Sequence, residues 1–485
     1  MDHAASDLTV RSLAGEGVPL GAALLDELQS RLHGSLSLPG TPGFDEARQV
    51  WNAMIDRRPA LIVRCADAAD VAAAVAFAGR HQLLLSVRGG GHNIAGSAVC
   101  DGGMMIDLSL MRTVEVDAAN RVARVQPGAT LAEFDREAQA SGLATPLGIN
   151  STTGVAGLTL GGGFGWLTRT LGMTVDNLIG ADLVTAAGET VRASARENPD
   201  LFWAIRGGSG NFGIVTSFEF QLHPVGPEVF AGLIVHPFEH ARALLRRYRL
   251  FAQQSPDELA CWVVLRKAPP LPFLSPEIHG KEVVVFALCH SGDAAAAAQA
   301  TEPLLAFGEP AGSHVGQMPY VAWQAAFDPL LTAGMRNYWK SHNFADLSDE
   351  VIDLLVDHAG QLPTAHCEII VAQLGGAASR VAATEMAYPH RDVRYVLNVH
   401  TRWEDPADDQ ACVGWARRFF DATAPHATGG VYVNFITEDE ERVAAAYGGN
   451  YERLMAAKRR YDPGNLFRMN QNIPPGRDAV GQAAE

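Results

Sequence analysis

Apolar and polar positions follow two rhythms along this chain, and they change places several times. Residues Pro59–Ala66 (PALIVRCA) are apolar but for Arg64, the pattern of a buried strand. Asp67–His81 then repeats its apolar residues at helical spacing behind an aspartate able to cap the first turn. Leu83–Gly89 reads as a strand running into glycines, and Met104–Leu110 as another. Thr113–Gly128 alternates as two strands about a turn at Asp117–Asn120. Thr130 and Glu133 stand at capping-box spacing, which predicts a helix to about Ser141. Leu178–Ser194 reads as a hairpin turning at Gly188, followed by a short helix near Asp200–Ala204 and a strand over Gly213–Val225.

A composition shift at Pro224–Glu228 marks a boundary. Beyond it, the extended runs VFAGLIVHP, ACWVVLRKAP and KEVVVFALCHSG interleave with helical stretches at His240–Gln254, Asp293–Phe307 and Asp408–Ala422. That order predicts one sheet covered by helices on one face. From about Asp439 the pattern is helical to Tyr461 and stops at Asp462-Pro463-Gly464. Strands joined by hairpins rather than by strict β-α-β alternation make the class α+β.

Composition narrows the function more than the fold. The formal net charge is −16 over 485 residues, with no basic stripe, which disfavours nucleic acid as a partner. The least polar stretch, Gly154–Leu167, is short and interrupted by glycines, so no membrane span is expected. The amino-terminal MDHAASDLTVRSL has no basic segment followed by an apolar core, so a cytoplasmic protein is expected. The six cysteines are scattered without a CxxC pair, the pattern of reduced thiols rather than of a disulfide framework or a metal site.

The glycines cluster, and there the chemistry begins. Arg88-Gly89-Gly90-Gly91-His92-Asn93 directly follows a predicted strand. Three glycines allow positive φ and turn several amides toward one point, a nest suited to pyrophosphate that Arg88 can supplement, though a glycine run also serves as a plain tight turn. A second cluster, from Gly148 through Gly154, Gly157, Gly161 and Gly162 to Gly165, intersperses threonines and suits close approach to a large flat ligand. It lacks the placement of a Rossmann fingerprint. The third, Arg206 to Gly213-Ile214, feeds a strand. Three such loops in one region exceed what turns alone require.

Together RGGGHN, STTGVAGLTLGGGFG, NPDLFWAIRGGSGNFGIVTSFEF and the carboxy-terminal YGGNYERL…KRRYDPGNLFRMNQNIPP closely resemble the vanillyl-alcohol-oxidase, or PCMH-type, flavoproteins in their berberine-bridge-enzyme-like branch. The resemblance implies an amino-terminal leader with short helices (1–57), a PCMH-type FAD-binding domain of two α/β subdomains (58–225), a substrate domain with an antiparallel sheet covered by helices (226–438), and a segment returning to the FAD domain (439–485). It implies FAD joined covalently through His92. Many members add a second bond through a cysteine, whose position here is Asn150, so one link is expected. Gly89 to Asn93, Ser97, Gly148, Thr152, Thr153, Gly154, Gly157, Gly161, Gly162, Gly213, Ile214 and Asn470 complete the implied FAD site with Arg88. Thr153 takes the place that flanks the reactive edge of the flavin and gates dioxygen, or simply satisfies a backbone group.

On the substrate side, Tyr395–Trp403 alternates as a strand, so Asn398 and His400 share a face. Relatives carry a Glu or Gln where Asn398 stands, and Asn398 cannot accept a proton. Tyr432 and Asn434 match the family's tyrosine-bearing strand and share a face. Tyr432 is the first candidate for the base and His400 the second, against ordinary cross-strand packing for both. The implied activity is two-electron oxidation of a C–H bond beside an alcohol or amine of a small molecule, with dioxygen reduced to peroxide. The alternatives are a flavin-dependent oxygenase of polyketide-like or aromatic substrates and an oligosaccharide or alcohol dehydrogenase.

Overall fold

The structure, a computed structural model, describes residues 8–437 and 442–476. Two sheets build the amino-terminal half. In the first, Leu61–Arg64, Met104–Asp107 and Leu85–Arg88 lie side by side in parallel, with Met104–Asp107 in the middle. The crossover helix Ala68–Arg80 is capped by Asp67, whose side chain accepts from the amides of Ala69 and Asp70. In the second, Leu178–Val184, Thr190–Ser194, Ile214–Gln221, Val122–Val125 and Val114–Asp117 form an antiparallel five-stranded sheet. The Thr130–Glu133 capping box closes as expected at the head of Leu131–Gln139.

The segment expected as a leader with short helices carries two, Ala22–Ser30 and Phe44–Ala47, and also contributes strands to this half. Leu8–Arg11 pairs with Gly17–Leu20, and Ser35–Ser37 adds a strand to Leu61–Arg64. Strands of three or four residues are too short for alternation to register, which is why they escape a pattern reading. The strand expected over Gly213–Val225 ends at Gln221, and His223–Pro224 pairs separately with Leu143–Ala144.

The second half is a seven-stranded antiparallel sheet. Its order is Gly312–Pro319, Glu228–Pro237, Glu282–His290, Leu259–Lys267, Glu368–Gln373, Tyr395–Trp403, Arg336–Phe344. Helices Ala241–Gln254, Asp349–Ala359 and Asp409–Thr423 bury their apolar stripes on one face, through Tyr248, Leu355, Trp415 and Phe419 among others. The opposite face turns toward the amino-terminal half, and the cleft between them holds the site. The helix expected from Asp439 is two helices, Val443–Tyr447 and Tyr451–Tyr461, parted at Gly448 with φ +48°. The boundary expected between residues 438 and 439 lies outside the described residues.

The carboxy-terminal segment is locked back onto the amino-terminal half by a buried cation. Lys458 Nζ donates to Asp462 at 2.7 Å and to the carbonyls of Asn211 and Phe467 at 2.8 and 3.0 Å. Asp462 also accepts the amides of Leu466 and Phe467. Lys458→Met strands this buried carboxylate and is expected to cost about 3–5 kcal/mol, read as a lower denaturant midpoint. All six cysteines are free and buried. Among the described residues, no helix is long and apolar enough to cross a membrane.

Candidate active site

The three glycine loops meet at one cleft. Gly89, Gly90, Gly91, His92, Asn93 and Ser97 line it from the first loop, and Gly148, Asn150, Thr153, Gly154 and Gly157 from the second. Gly213, Ile214 and Asn470 line a third side. The first two loops touch backbone to backbone: a Cβ on Gly90 would stand 2.5 Å from the Cα of Gly154. Gly91 has φ +68°. The amides of Gly89, Gly90 and Gly91 find no carbonyl acceptor among the described residues, as a nest awaiting an anion requires.

Four expected cofactor residues lie off the cleft. Arg88 turns beneath its loop and donates to the carbonyl of Ala47, so it orders the loop rather than charging the nest. Thr152 is exposed, its hydroxyl donating to Asn150 Oδ1 at 2.7 Å. Gly161 packs under Asn434 and Gly162 under Tyr388, where side chains would collide. Their role is close packing of the loop against the substrate half.

His92 is placed by its neighbours. Its ring stacks on Trp51 with centroids 4.3 Å apart and planes at 22°, and the Arg402 guanidinium covers that indole at 5.4 Å. Burial, with His400 and Arg402 nearby, pulls the His92 pKa down to about 4, so the imidazole is neutral and nucleophilic at physiological pH. Asn150 Nδ2 stands 3.5 Å from His92 Nε2.

The facing sheet supplies the ionisable groups. Arg266, Glu368, His400 and Trp339 occupy one register row across four neighbouring strands. Arg266 donates to Glu368 Oε2 at 2.7 Å, and Glu368 Oε1 lies 2.9 Å from His400 Nδ1. Burial pushes the Glu368 carboxyl up, but Arg266 and His400 outweigh it and hold the pKa at about 2. An ionised carboxylate only accepts, so His400 Nδ1 carries the proton and Nε2 presents its lone pair. Burial lowers the His400 pKa, with Glu368 opposing, and the imidazole stays neutral.

Tyr432 is built differently. Its segment is not a strand; it turns through a short 3₁₀ helix, Val433–Phe435, fastened to the edge strand by Thr437 Oγ1 donating to the Trp339 carbonyl at 2.7 Å. The Tyr432 oxygen accepts from the Gly163 amide and from Asn434 Nδ2, both at 3.0 Å. Burial raises its pKa to about 12 despite those bonds. A phenol so placed stays protonated and, with two bonds already accepted, has its own O–H left to donate.

Among the described residues, His400 Nε2, Trp339 Nε1, Asn398 Oδ1 and Asn470 Oδ1 are buried without hydrogen-bond partners, and all four residues line the cleft. Such atoms call for a polar ligand. A cleft that brings together a backbone nest, flat glycine surfaces and unmet polar atoms fits a flavin dinucleotide. The family model for an FAD binding domain matches residues 59–194, and the berberine and berberine-like model matches 431–474. An FAD-linked oxidoreductase of Dictyostelium discoideum is 31% identical over 457 residues, 93% of this chain and 97% of its own. The chain belongs to the berberine-bridge-enzyme-like FAD-linked oxidoreductases.

Among these oxidoreductases, (R)-6-hydroxynicotine oxidase of Paenarthrobacter nicotinovorans is 32% identical over 461 residues, 92% of this chain and 97% of its own. The crystal structure of 6-hydroxy-D-nicotine oxidase from Arthrobacter nicotinovorans matches with a TM-score of 0.82 at 29% identity, covering 92% of this chain and 98% of that one. A xylooligosaccharide oxidase from Myceliophthora thermophila, in complex with xylobiose, matches at 0.81 and 25%, over 93% and 99%. In this flavoenzyme Arg266, Glu368, Trp51 and Trp339 escape a reading of the sequence. The available signal for the two charged residues is a charge attached to an apolar run, Arg266-Lys267 closing WVVLRK and Glu368 in CEIIVAQ, and such charges are also common at strand ends.

Proposed function

We propose that this flavoenzyme is an oxidase that converts R₂CH–XH and dioxygen into R₂C=X and hydrogen peroxide, X being oxygen or a substituted nitrogen. The observation that carries this reading is the buried Glu368–His400 pair, whose free Nε2 faces the same cleft as His92. Bound FAD supplies the two-electron acceptor and its reoxidation by dioxygen. His400 Nε2 takes the proton from X–H as the carbon loses hydride, and Glu368 stabilises the imidazolium that results. Tyr432, accepting two hydrogen bonds, has its own hydrogen to orient the substrate heteroatom.

His92 tethers the cofactor through one bond; Asn150 stands beside it and cannot form a thioether. Thr153 is half-buried at the cleft, and a side chain so small leaves room for dioxygen. Phe164, Trp262, Trp339, Ile370, Val396 and Phe435 make much of the remaining wall apolar, which favours aromatic or alkaloid-like alcohols and amines over oligosaccharides. The name of the hydroxynicotine oxidase relative supports the same choice. The six buried free thiols support a reducing, cytoplasmic setting.

The test is an aerobic peroxide-release screen over phenolic alcohols and cyclic amines, with isotopic dioxygen. Peroxide equal to product, with no label in the product, is expected. Label in the product would replace the oxidase with an oxygenase, and slow reoxidation in air would replace it with a dehydrogenase.

A further inference from the structure

The cleft does not end at its catalytic row. On the sheet, Asn398 and Ile370 line the cleft, and their register row continues outward as Val264, Val285 and Val235 on the next three strands. Those three valines floor a second, narrow and almost wholly apolar cavity that shares Trp262, Ile370 and Leu331 with the cleft as walls. Its roof is a loop closed at its base by hydrogen bonds between Ala268 and both Gly280 and Lys281, from which Leu271 and Leu274 reach down. The Arg266–Glu368 ion pair stands along its edge. From Ile370 to Val235 is three strand spacings, about 14 Å.

We propose that this slot binds the apolar end of the substrate, an alkyl or aryl group carried several bonds from the carbon oxidised in the cleft. The proposal rests on the oxidase reading and extends it to substrate shape. The continuous valine row argues for a substrate that crosses from one cavity to the other. A free sugar is a poor occupant, because the slot offers its hydroxyls almost no polar partners. A long molecule therefore lies with its heteroatom at His400 and its tail between the sheet and the loop.

The experiment titrates the FAD-loaded enzyme with 4-n-alkylphenols from methyl to hexyl and follows the flavin absorption spectrum. Affinity is expected to rise roughly threefold to fourfold per added methylene. Val285→Phe, which fills the floor, and Leu271→Ser, a milder change in the roof, are each expected to flatten that series. Equal affinities across the series in the natural enzyme, or an unchanged slope in both variants, would overturn the proposal. So would a yellow enzyme whose spectrum no member perturbs. A colourless protein would instead bring down the oxidase reading itself.

Discussion

Glu368→Gln is expected to slow flavin reduction by about 100- to 10,000-fold, the range for removing general-base assistance. The reason is the tautomer. Glu368 accepts from His400 Nδ1 at 2.9 Å and so keeps the lone pair on Nε2, the atom left unpartnered in the cleft. A glutamine amide in the same place can donate to Nδ1 and move the proton to Nε2, where it blocks the acceptor. The pH profile separates this from a merely structural effect. The groups facing His400 are Glu368, Arg266, Arg402 and, across the cleft, His92. Of these the carboxylate alone raises the pKa of His400, against burial and the two arginines. The neutral imidazole is the working form, so the rate is present above that pKa and lost as pH falls through it. Without the anion the pKa drops further, and the acid limb of the profile moves to lower pH while the plateau falls. Glu368→Asp is expected to recover part of the rate. Tyr432→Phe, which removes one oriented hydrogen bond, is expected to cost about tenfold. A larger loss in Tyr432→Phe than in Glu368→Gln would give the proton to the tyrosine.

The second large effect is all-or-none. Acid-precipitated natural protein is expected to keep yellow fluorescence on the polypeptide, and His92→Ala to release all of it as free FAD. Attachment requires an unprotonated imidazole held in one pose. The pKa of about 4 meets the first requirement at every pH above that value, and the Trp51 stack at 4.3 Å meets the second. The reduction potential of His92→Ala is expected to fall, because the electron-withdrawing substituent is lost. Natural protein that surrenders its flavin to acid would end the covalent reading. Asn150→Cys, beside the imidazole, is the variant in which a second bond can form, seen as a changed flavin spectrum.

Much of this architecture is legible along the chain. The Asp67 cap and the Thr130–Glu133 capping box are local: each is complete within a few residues, and the structure closes both as the spacing predicts. The strands Glu228–Pro237, Leu259–Lys267 and Glu282–His290 announce themselves because they are long and apolar. By contrast Arg336–Phe344 (RNYWKSHNF) shows no alternation, since it is buried along almost its whole length with polar residues on both faces. The turn at Val433–Phe435 is held by contacts to a strand almost a hundred residues earlier, and nothing local distinguishes it from a strand.

The sequence by itself determined the glycine loops, the histidine that follows the first of them, the absent cysteine at Asn150 and the α+β order of elements. Each depends on backbone freedom or residue chemistry that neighbours along the chain do not alter. Only the tertiary structure decided which groups meet. Register across the large sheet put Arg266, Glu368 and His400, from three adjoining strands that lie apart along the chain, into one ion-paired row, and burial then set their charges. A proton acceptor is a property of that assembled environment, because desolvation and a partner's charge fix a pKa, and neither exists until the chain has folded.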